Sequence, residues 1–465
     1  MQTGTGDFKA EISGWVTMSS SREVAYDALL AVERQDAYLN LVLPKALAKA
    51  RLSNVDAAFA TELSYGTARW QGLYDWIISE ATGREVEYID ADALLMIRLG
   101  SHQLLELNTP AHAAIFEMVN LAKKRLKASV VGFINAALRR ISERSRKQWI
   151  ERLHNSGLSA ENISSIEFSH PLWVTRALKL ALQSEDSSDE LVAALISDND
   201  APKVNLVALP GKNSEIEATL SREGVSPFGF VLNYGDPSKL AGVATGAMRV
   251  QDQGSQLAAL ALAGVKSNSD STEWLDLCAG PGGKAVLLAA LAKQANAHLT
   301  TNEVSEHRAT LVATALRHSG FEATQLQVDG RELPGQLKFD RILLDAPCTG
   351  LGALRRRPES RWRKNAEDLK SLSALQRELI ESAWTALAPG GVLGYVTCSP
   401  HPTETTAQIE WLLRTFKDSE LLNATEELMK INPLLSLKSE RKTVQLWPHR
   451  NDTDAMFIAL VQKRK

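Results

Sequence analysis

The sequence predicts a multidomain protein: an all-α N-terminal bundle, a small α+β connector, and a C-terminal α/β domain of the doubly wound, Rossmann-like kind. Three observations lead there. From about Ser19 to Glu143 apolar residues recur at three- and four-residue steps with almost no strand-like alternation. From Glu273 onward, short apolar strands alternate with helices, the pattern of a parallel sheet. A chain of 465 residues is also too long for one ordinary core, and domains of roughly 150 residues would give about three units.

Taken in order, residues 1–18 carry Asp7, Lys9 and Glu11 where a signal peptide needs an apolar core. They are expected to be a disordered leader, with Met18 as an alternative start and the cytoplasm as the default location. Residues 19–145 form the expected bundle. Val24, Leu29 and Ala31, then Leu94, Leu95, Ile97 and Leu99, mark helical faces, and Asn108-Thr109-Pro110 punctuates the helices before Ala111–Leu126 and Val130–Arg140. Residues 146–250 are expected to be the connector, with helices at Leu172–Leu182 and Leu191–Ile196 and strands at Val204–Ala208 and Met248–Gln251. Residues 251–465 hold the alternating set: Trp274–Leu277, Ala285–Gln294, His298–Val304, His307–His318, Thr324–Val328, Phe339–Leu344, Leu369–Leu387 and Val392–Val396.

An apolar fraction of 44% with 23% charged residues suits a globular chain, and no run of about 20 apolar residues offers a membrane span. The formal net charge of −3 argues against a uniformly basic nucleic-acid coat but leaves room for a local patch. Three cysteines without close pairing point away from a disulfide framework or a zinc site. A monomer without metal is expected.

In doubly wound sheets ligands sit beyond the carboxyl ends of the strands. The first such end here reads Asp276-Leu277-Cys278-Ala279-Gly280-Pro281-Gly282-Gly283-Lys284, a glycine turn running directly into a helix. It is neither a P-loop nor a dinucleotide G-x-G-x-x-G. The second ends at Glu303, 27 residues after Asp276, where a carboxylate suits ribose hydroxyls; the third ends at Asp329, suited to an adenine amine. With no phosphate cradle, this rim favours S-adenosylmethionine (SAM) over a nucleotide. The fourth ends in Asp345-Ala346-Pro347-Cys348 and the fifth in Thr397-Cys398-Ser399-Pro400. A free cysteine is ordinarily a small buried hydrophobe. Two at the same end of strands expected to be neighbours, about 4.8 Å apart, can face one substrate.

These segments resemble the RNA 5-methylcytosine methyltransferases of the Sun/Fmu (RsmB-type) group. The resemblance rests on Cys278 to Lys284, Asp345 to Cys348, Thr397 to Ser399 and a closing Asp452-Thr453-Asp454-Ala455-Met456-Phe457, and covers roughly the last 220 residues. Gly280 and Ala285 stand where many relatives have Ala and Thr, and Thr349 where Ser is usual. A second resemblance, over residues 19–143, is to the NusB-like RNA-binding domain of bacterial 16S rRNA methyltransferases. It rests on Asp56-Ala57-Ala58-Phe59, Tyr65-Gly66-Thr67, Arg98 to Leu105 and Phe133 to Arg140. The pairing implies small-subunit rRNA as the partner.

The resemblance implies that Cys398 adds to C6 of cytosine, activating C5 for methylation, that Cys348 assists release, and that Asp345 bonds the ring nitrogen and amine. It implies a SAM site formed by Cys278, Ala279, Gly280, Pro281, Gly282, Gly283, Lys284, Glu303, Arg308, Asp329 and Asp345. Lys284 is either a site-positioning cation or a solvated lysine at a helix start. The basic run Arg355, Arg356, Arg357, Arg361, Arg363 and Lys364, with Trp362 inside it, is expected to hold RNA by phosphate contact and base stacking. Lys123, Lys124, Arg125, Lys127, Arg139 and Arg140 would extend that track, and His449 and Arg450 would add to the site. Rival expectations are methylation of tRNA or another RNA, a SAM enzyme acting on DNA or on a different atom, and a non-catalytic NusB-like RNA-binding factor. Adenine-N6 enzymes would need an Asn/Asp-Pro-Pro-Tyr turn where this chain has Asp345-Ala346-Pro347-Cys348, and DNA cytosine enzymes lack the second cysteine.

Overall fold

The computed structural model describes residues 20–35, 37–213, 216–438 and 440–465. The expected leader and the alternative start at Met18 lie outside the described residues. The chain divides into two compact units, the break falling between Ser156 and Gly157.

The first unit is helical: α1 (Ser21–Gln35), α2 (Leu39–Ala50), α3 (Asn54–Arg69), α4 (Gln71–Thr82), α5 (Ala91–Leu105), α6 (Ala111–Arg125), α7 (Ala128–Ser142) and α8 (Arg146–His154). Local signals set several ends. Ser53 and Asp90 cap α3 and α5 through their side chains, Gly83 closes α4 in the left-handed region, and Ser145 with Gln148 forms a capping box on α8. Leu63, Ile77, Met96, Ile97, Leu99, Met118, Ile134 and Leu138 are buried in the core. Gly66 of α3 lies so close to α5 that a Cβ there would fall 2.1 Å from His102 Nε2, while the Tyr74 hydroxyl meets the other ring nitrogen at 2.8 Å. The sequence placed the boundary at 145/146. The structure places it after α8, because that helix buries Trp149, whose indole N–H donates to the Ile141 carbonyl, and pairs Arg146 with Glu106 and Arg152 with Glu80.

The second unit opens with α9 (Ala160–Glu167), α10 (Leu172–Gln183) and α11 (Leu191–Ser197). A small antiparallel sheet in the order β2-β3-β1-β4 follows, from β1 (Val204–Ala208), β2 (Leu220–Ser221), β3 (Gly229–Leu232) and, after the short α12 (Ala241–Ala244), β4 (Met248–Val250). The connector has the α+β content the sequence predicts, yet it does not stand apart. Val207 and Leu209 share a core with Leu257 and Val286, and Val174, Leu178 and Leu195 share another with Leu351, Leu354 and Trp447.

Beyond α13 (Gln253–Gly264), the alternating set is β5 (Glu273–Asp276), α14 (Gly283–Gln294), β6 (His298–Asn302), α15 (Glu306–His318), β7 (Thr324–Leu326), β8 (Phe339–Asp345), α16 (Asp368–Ala386) and β9 (Leu387–Thr397). It continues through α17 (Thr406–Thr415), β10 (Ser419–Leu421), α18 (Ala424–Ile431), β11 (Val444–Gln445), α19 (Pro448–Asn451) and β12 (Phe457–Lys463). The main sheet runs β10-β12-β9-β8-β5-β6-β7, with β11 paired to β12. Strands β5 to β9 pair in parallel, whereas β12 pairs antiparallel with β9, β10 and β11, an edge the expectation of a purely parallel sheet missed. The central strands β5, β8, β9 and β12 are buried on both faces, as a sheet covered by helices on both sides requires, whereas the edge strand β7 is largely exposed. Leu343, Ile458 and Leu460 meet the residues of α13 and α14, while Ile342, Leu344, Phe457 and Ala459 meet Leu379, Ile380 and Leu412 of α16 and α17. Strand order reverses between β5 and β8, which places the crevice beside the glycine turn.

Candidate active site

The glycine turn joins β5 to α14, with Gly282 at φ +105°, a conformation that disfavours any side chain. Its neighbour Gly280 is pressed against the next strand end. The Gly280 N–H donates to Glu303 Oε2 at 3.1 Å, Arg308 Nη2 donates to the Gly280 carbonyl at 2.5 Å, and Arg308 pairs with Glu303 at 3.2 Å. A Cβ on Gly280 would lie 2.3 Å from Glu303 Oε2 and 2.7 Å from Arg308 Nε, so a side chain here would make the ends of both neighbours shift. Asn302, which sequence reasoning passed over, stitches three strand ends together. Its amide donates to the Leu277 and Val328 carbonyls and its oxygen accepts from the Val328 N–H. Thus the turn and Glu303 are brought together as expected. Asp329 sits at the third end, bound to Arg331, whose hydrogen bonds hold its carboxyl down at about 2.

Asp276, the last residue of β5, is wholly buried, and neither carboxylate oxygen completes a hydrogen bond of good geometry. Burial first, then the neighbouring carboxylates of Asp345 and Glu303, push its pKa up to about 8 against the pull of Lys284. Lys284, at the start of α14, donates to Asp345 Oδ2 at 2.8 Å and is nearly buried, which removes the solvated alternative. Burial pulls its pKa down, but Asp345, joined by Cys398 and Asp276, leaves it above the ordinary lysine value.

Parallel pairing of β8 with β9 sets Asp345 opposite Val396 and carries the two thiols to one place, with Cys348 Sγ 3.4 Å from Cys398 Sγ. Cys398 is held below the usual thiol range, chiefly by the hydrogen bond from the Cys348 thiol and further by Lys284 and Arg357, against burial and Asp345. Cys348 is pushed up by the same thiol contact, by burial and by Glu404. Cys278 packs on the core beside Leu277, and burial raises its pKa.

The basic run is largely internal, and its expected role as an RNA track needs correction. Arg355 is 3% exposed and pairs with Asp452 and Asp454; Arg356 pairs with Asp252 and Asp454. Arg361 is fully buried, donating to the Ser169 and Asp198 carbonyls and to Asn199 Oδ1. Trp362 is half-buried and Arg357 is exposed. The closing motif is thereby explained: Asp452 and Asp454 clamp these arginines, and the Ala455 N–H donates to the Gly352 carbonyl, whose own N–H donates to the Cys398 carbonyl. His449 and Arg450 are likewise taken up by Glu185 and Glu190. In the helical unit Lys124 pairs with Glu23 and Arg125 with Asp27, whereas Lys123, Lys127, Arg139 and Arg140 are exposed.

The family model of the 16S rRNA methyltransferase RsmB/F matches residues 262–462, and that of the NusB family matches residues 19–143. A putative methyltransferase of Mycobacterium tuberculosis is 43% identical over 452 residues, 96% of this chain and 97% of its own length. Ribosomal RNA small subunit methyltransferase B of Escherichia coli is 31% identical over 414 residues, 86% of this chain and 91% of its own. Among solved structures, that of PH0851 superposes with a TM-score of 0.76 at 22% identity, covering 96% of this chain and 98% of its own, a likeness of fold. On these matches, which extend through both units, the chain belongs to the 16S rRNA methyltransferase RsmB/F family, with a NusB-family region ahead of the methyltransferase.

Proposed function

We propose that the protein methylates C5 of a cytosine in 16S rRNA, with Cys398 as nucleophile. The observation that carries this reading is the pair of thiols, 3.4 Å apart, beside the Lys284–Asp345 ion pair. The cofactor of the family is SAM, which supplies an electrophilic methyl group. The residues present suit it: a carboxylate at the second strand end, a glycine turn without a phosphate cradle, and the orphaned Asp276 carboxyl beneath that turn. Glu303, Arg308 and residues 278–283 would hold it, with Asp329 at the adenine end.

C5 of cytosine is a weak nucleophile until a thiolate adds at C6. Cys398 forms that C6–S bond, and Asp345 accepts from the cytosine amine, favouring the electron-rich ring. After C5 has been methylated, its proton leaves to a base and the C6–S bond breaks, returning the electron pair to Cys398. We assign this release to Cys348, which takes the C5 proton as a thiolate after giving up its own proton to solvent. Lys284 holds Asp345 in place and offsets negative charge at Cys398.

Alanine variants of the two cysteines test the assignment. With SAM and 16S rRNA, Cys398→Ala should neither methylate nor attach covalently. Cys348→Ala should accumulate a denaturation-resistant protein–RNA adduct. Trapping by Cys398→Ala instead would reverse the roles, and full activity in both variants would eliminate thiol catalysis. Bisulfite sequencing of the RNA checks the product.

A further inference from the structure

Glu404 lies six residues beyond Cys398, in the short helical turn before α17, and is wholly buried. Its carboxylate reaches back to the other cysteine-bearing turn. Oε1 accepts from the Thr349 backbone N–H at 2.8 Å and from the Gln376 amide at 3.3 Å, and Oε2 accepts from the Thr349 hydroxyl at 2.5 Å. The Thr349 oxygen in turn meets the Ser399 hydroxyl at 3.1 Å. Thr349 follows Cys348 and Ser399 follows Cys398, so one carboxylate ties together the two turns that present the thiols. The Gln376 amide also donates to the Pro347 carbonyl, and the Tyr395 hydroxyl donates to the Glu404 carbonyl, so the clasp is fixed from α16 and β9 as well.

We propose that Glu404 is a positioning residue that locks the Cys348 turn onto the Cys398 turn and, through its buried negative charge, decides which of the two thiols serves as nucleophile. The inference rests on the reading of the pair as catalytic. The groups around each sulfur are unequal. Cys348 faces Glu404, the neutral Tyr395 phenol and Cys398, whereas Cys398 faces Lys284 and Arg357 as well as Asp345 and Cys348. Glu404 places an anion beside Cys348 with no cation to offset it, whereas around Cys398 the Asp345 anion is opposed by Lys284 and Arg357, so the shared proton is pushed toward Cys348. The Cys348 thiol and the Cys398 thiolate are therefore the favoured pair, and a neutral residue at 404 would weaken the distinction.

The test reads the thiols without RNA or cofactor. In full-length protein carrying Cys398→Ala, the rate of Cys348 alkylation by iodoacetamide is followed against pH by mass spectrometry. The three cysteines fall on separate tryptic peptides. Adding Glu404→Gln, which keeps the shape and removes the charge, should speed Cys348 alkylation about three- to tenfold at pH 7.5 by lowering its midpoint. An unshifted midpoint in a variant with wild-type melting temperature overturns the electrostatic role.

The clasp is tested separately, so that a failure of Glu404→Gln to fold leaves the proposal open to refutation. Thr349→Val, with Cys398 intact, should slow methyl transfer with little change in RNA affinity, and Thr349→Ser should restore it. Equal rates in all three proteins overturn the positioning role. Because alkylation is independent of turnover, a shifted midpoint in an enzyme whose cysteine variants both remain active would sink the thiol mechanism while leaving the charge effect standing.

Discussion

Lys284 Nζ lies 2.8 Å from Asp345 Oδ2, joining the start of the helix after the glycine turn to the strand end that leads into Cys348. The two residues are 61 positions apart in sequence, and their contact links the cofactor side of the site to the thiol side. The lysine also draws Cys398 toward its thiolate form, adding to the stronger effect of the Cys348 contact.

Removing that cation should therefore appear in a pH profile. Lys284→Met should shift the rise of single-turnover methyl transfer to higher pH, with a loss of about tenfold at neutral pH that narrows as pH increases. A uniform loss at all pH values would assign Lys284 a role unrelated to Cys398 ionisation.

Glu303 is 5% exposed and already organised by Gly280, Ser305 and Arg308. Glu303→Ala should weaken SAM binding by about 1–3 kcal/mol in calorimetry, the cost of a lost buried hydrogen-bonding carboxylate. Unchanged affinity would remove Glu303 from the site.

The arginines after Cys348 should separate into two behaviours. Arg361→Met leaves the Ser169 and Asp198 carbonyls without their donor and should cost roughly 3 kcal/mol of stability, read from denaturant unfolding. Arg357→Ala, at an exposed position, should leave stability nearly unchanged and flatten the salt dependence of RNA binding by about 0.7 in log–log slope for a lost single-strand phosphate contact. An unaltered slope would exclude Arg357 from the RNA interface.

Asp276 carries a stability-versus-pH signature. Its carboxyl is raised to about 8, mainly by burial, so the folded protein holds a proton that the unfolded chain gives up near its ordinary value. The stability this group contributes is complete below about pH 4 and is lost as pH rises through about 8. Asp276→Asn, which cannot ionise, should melt several degrees above the wild type at pH 8, with the gap closing toward pH 4. A constant gap would show that Asp276 is ionised in the folded protein throughout.

Alternation and punctuation in the chain were enough for the helical N-terminal unit, for β5 to β9 and their helices, and for the strand ends where Glu303, Asp345, Cys348 and Cys398 stand. Those signals are local: a period of 3.6 or 2, a glycine turn, a residue type at the end of an apolar run. Sequence likewise brought the two cysteines to neighbouring strands, because parallel units place all carboxyl ends on one side. Tertiary structure decided the rest. Arg355, Arg356 and Arg361 look like a solvent-facing basic run, but Asp252, Asp452 and Asp454 and the carbonyls of Ser169 and Asp198, all distant in sequence, draw them inside. Antiparallel β12 and the clasp of Glu404 on Thr349 are pairings across long separations that no local period encodes. Which thiol ionises is likewise a tertiary matter, because it depends on the charges that folding gathers around each sulfur, and these come from α14, β8, the loop after Cys348 and the turn before α17.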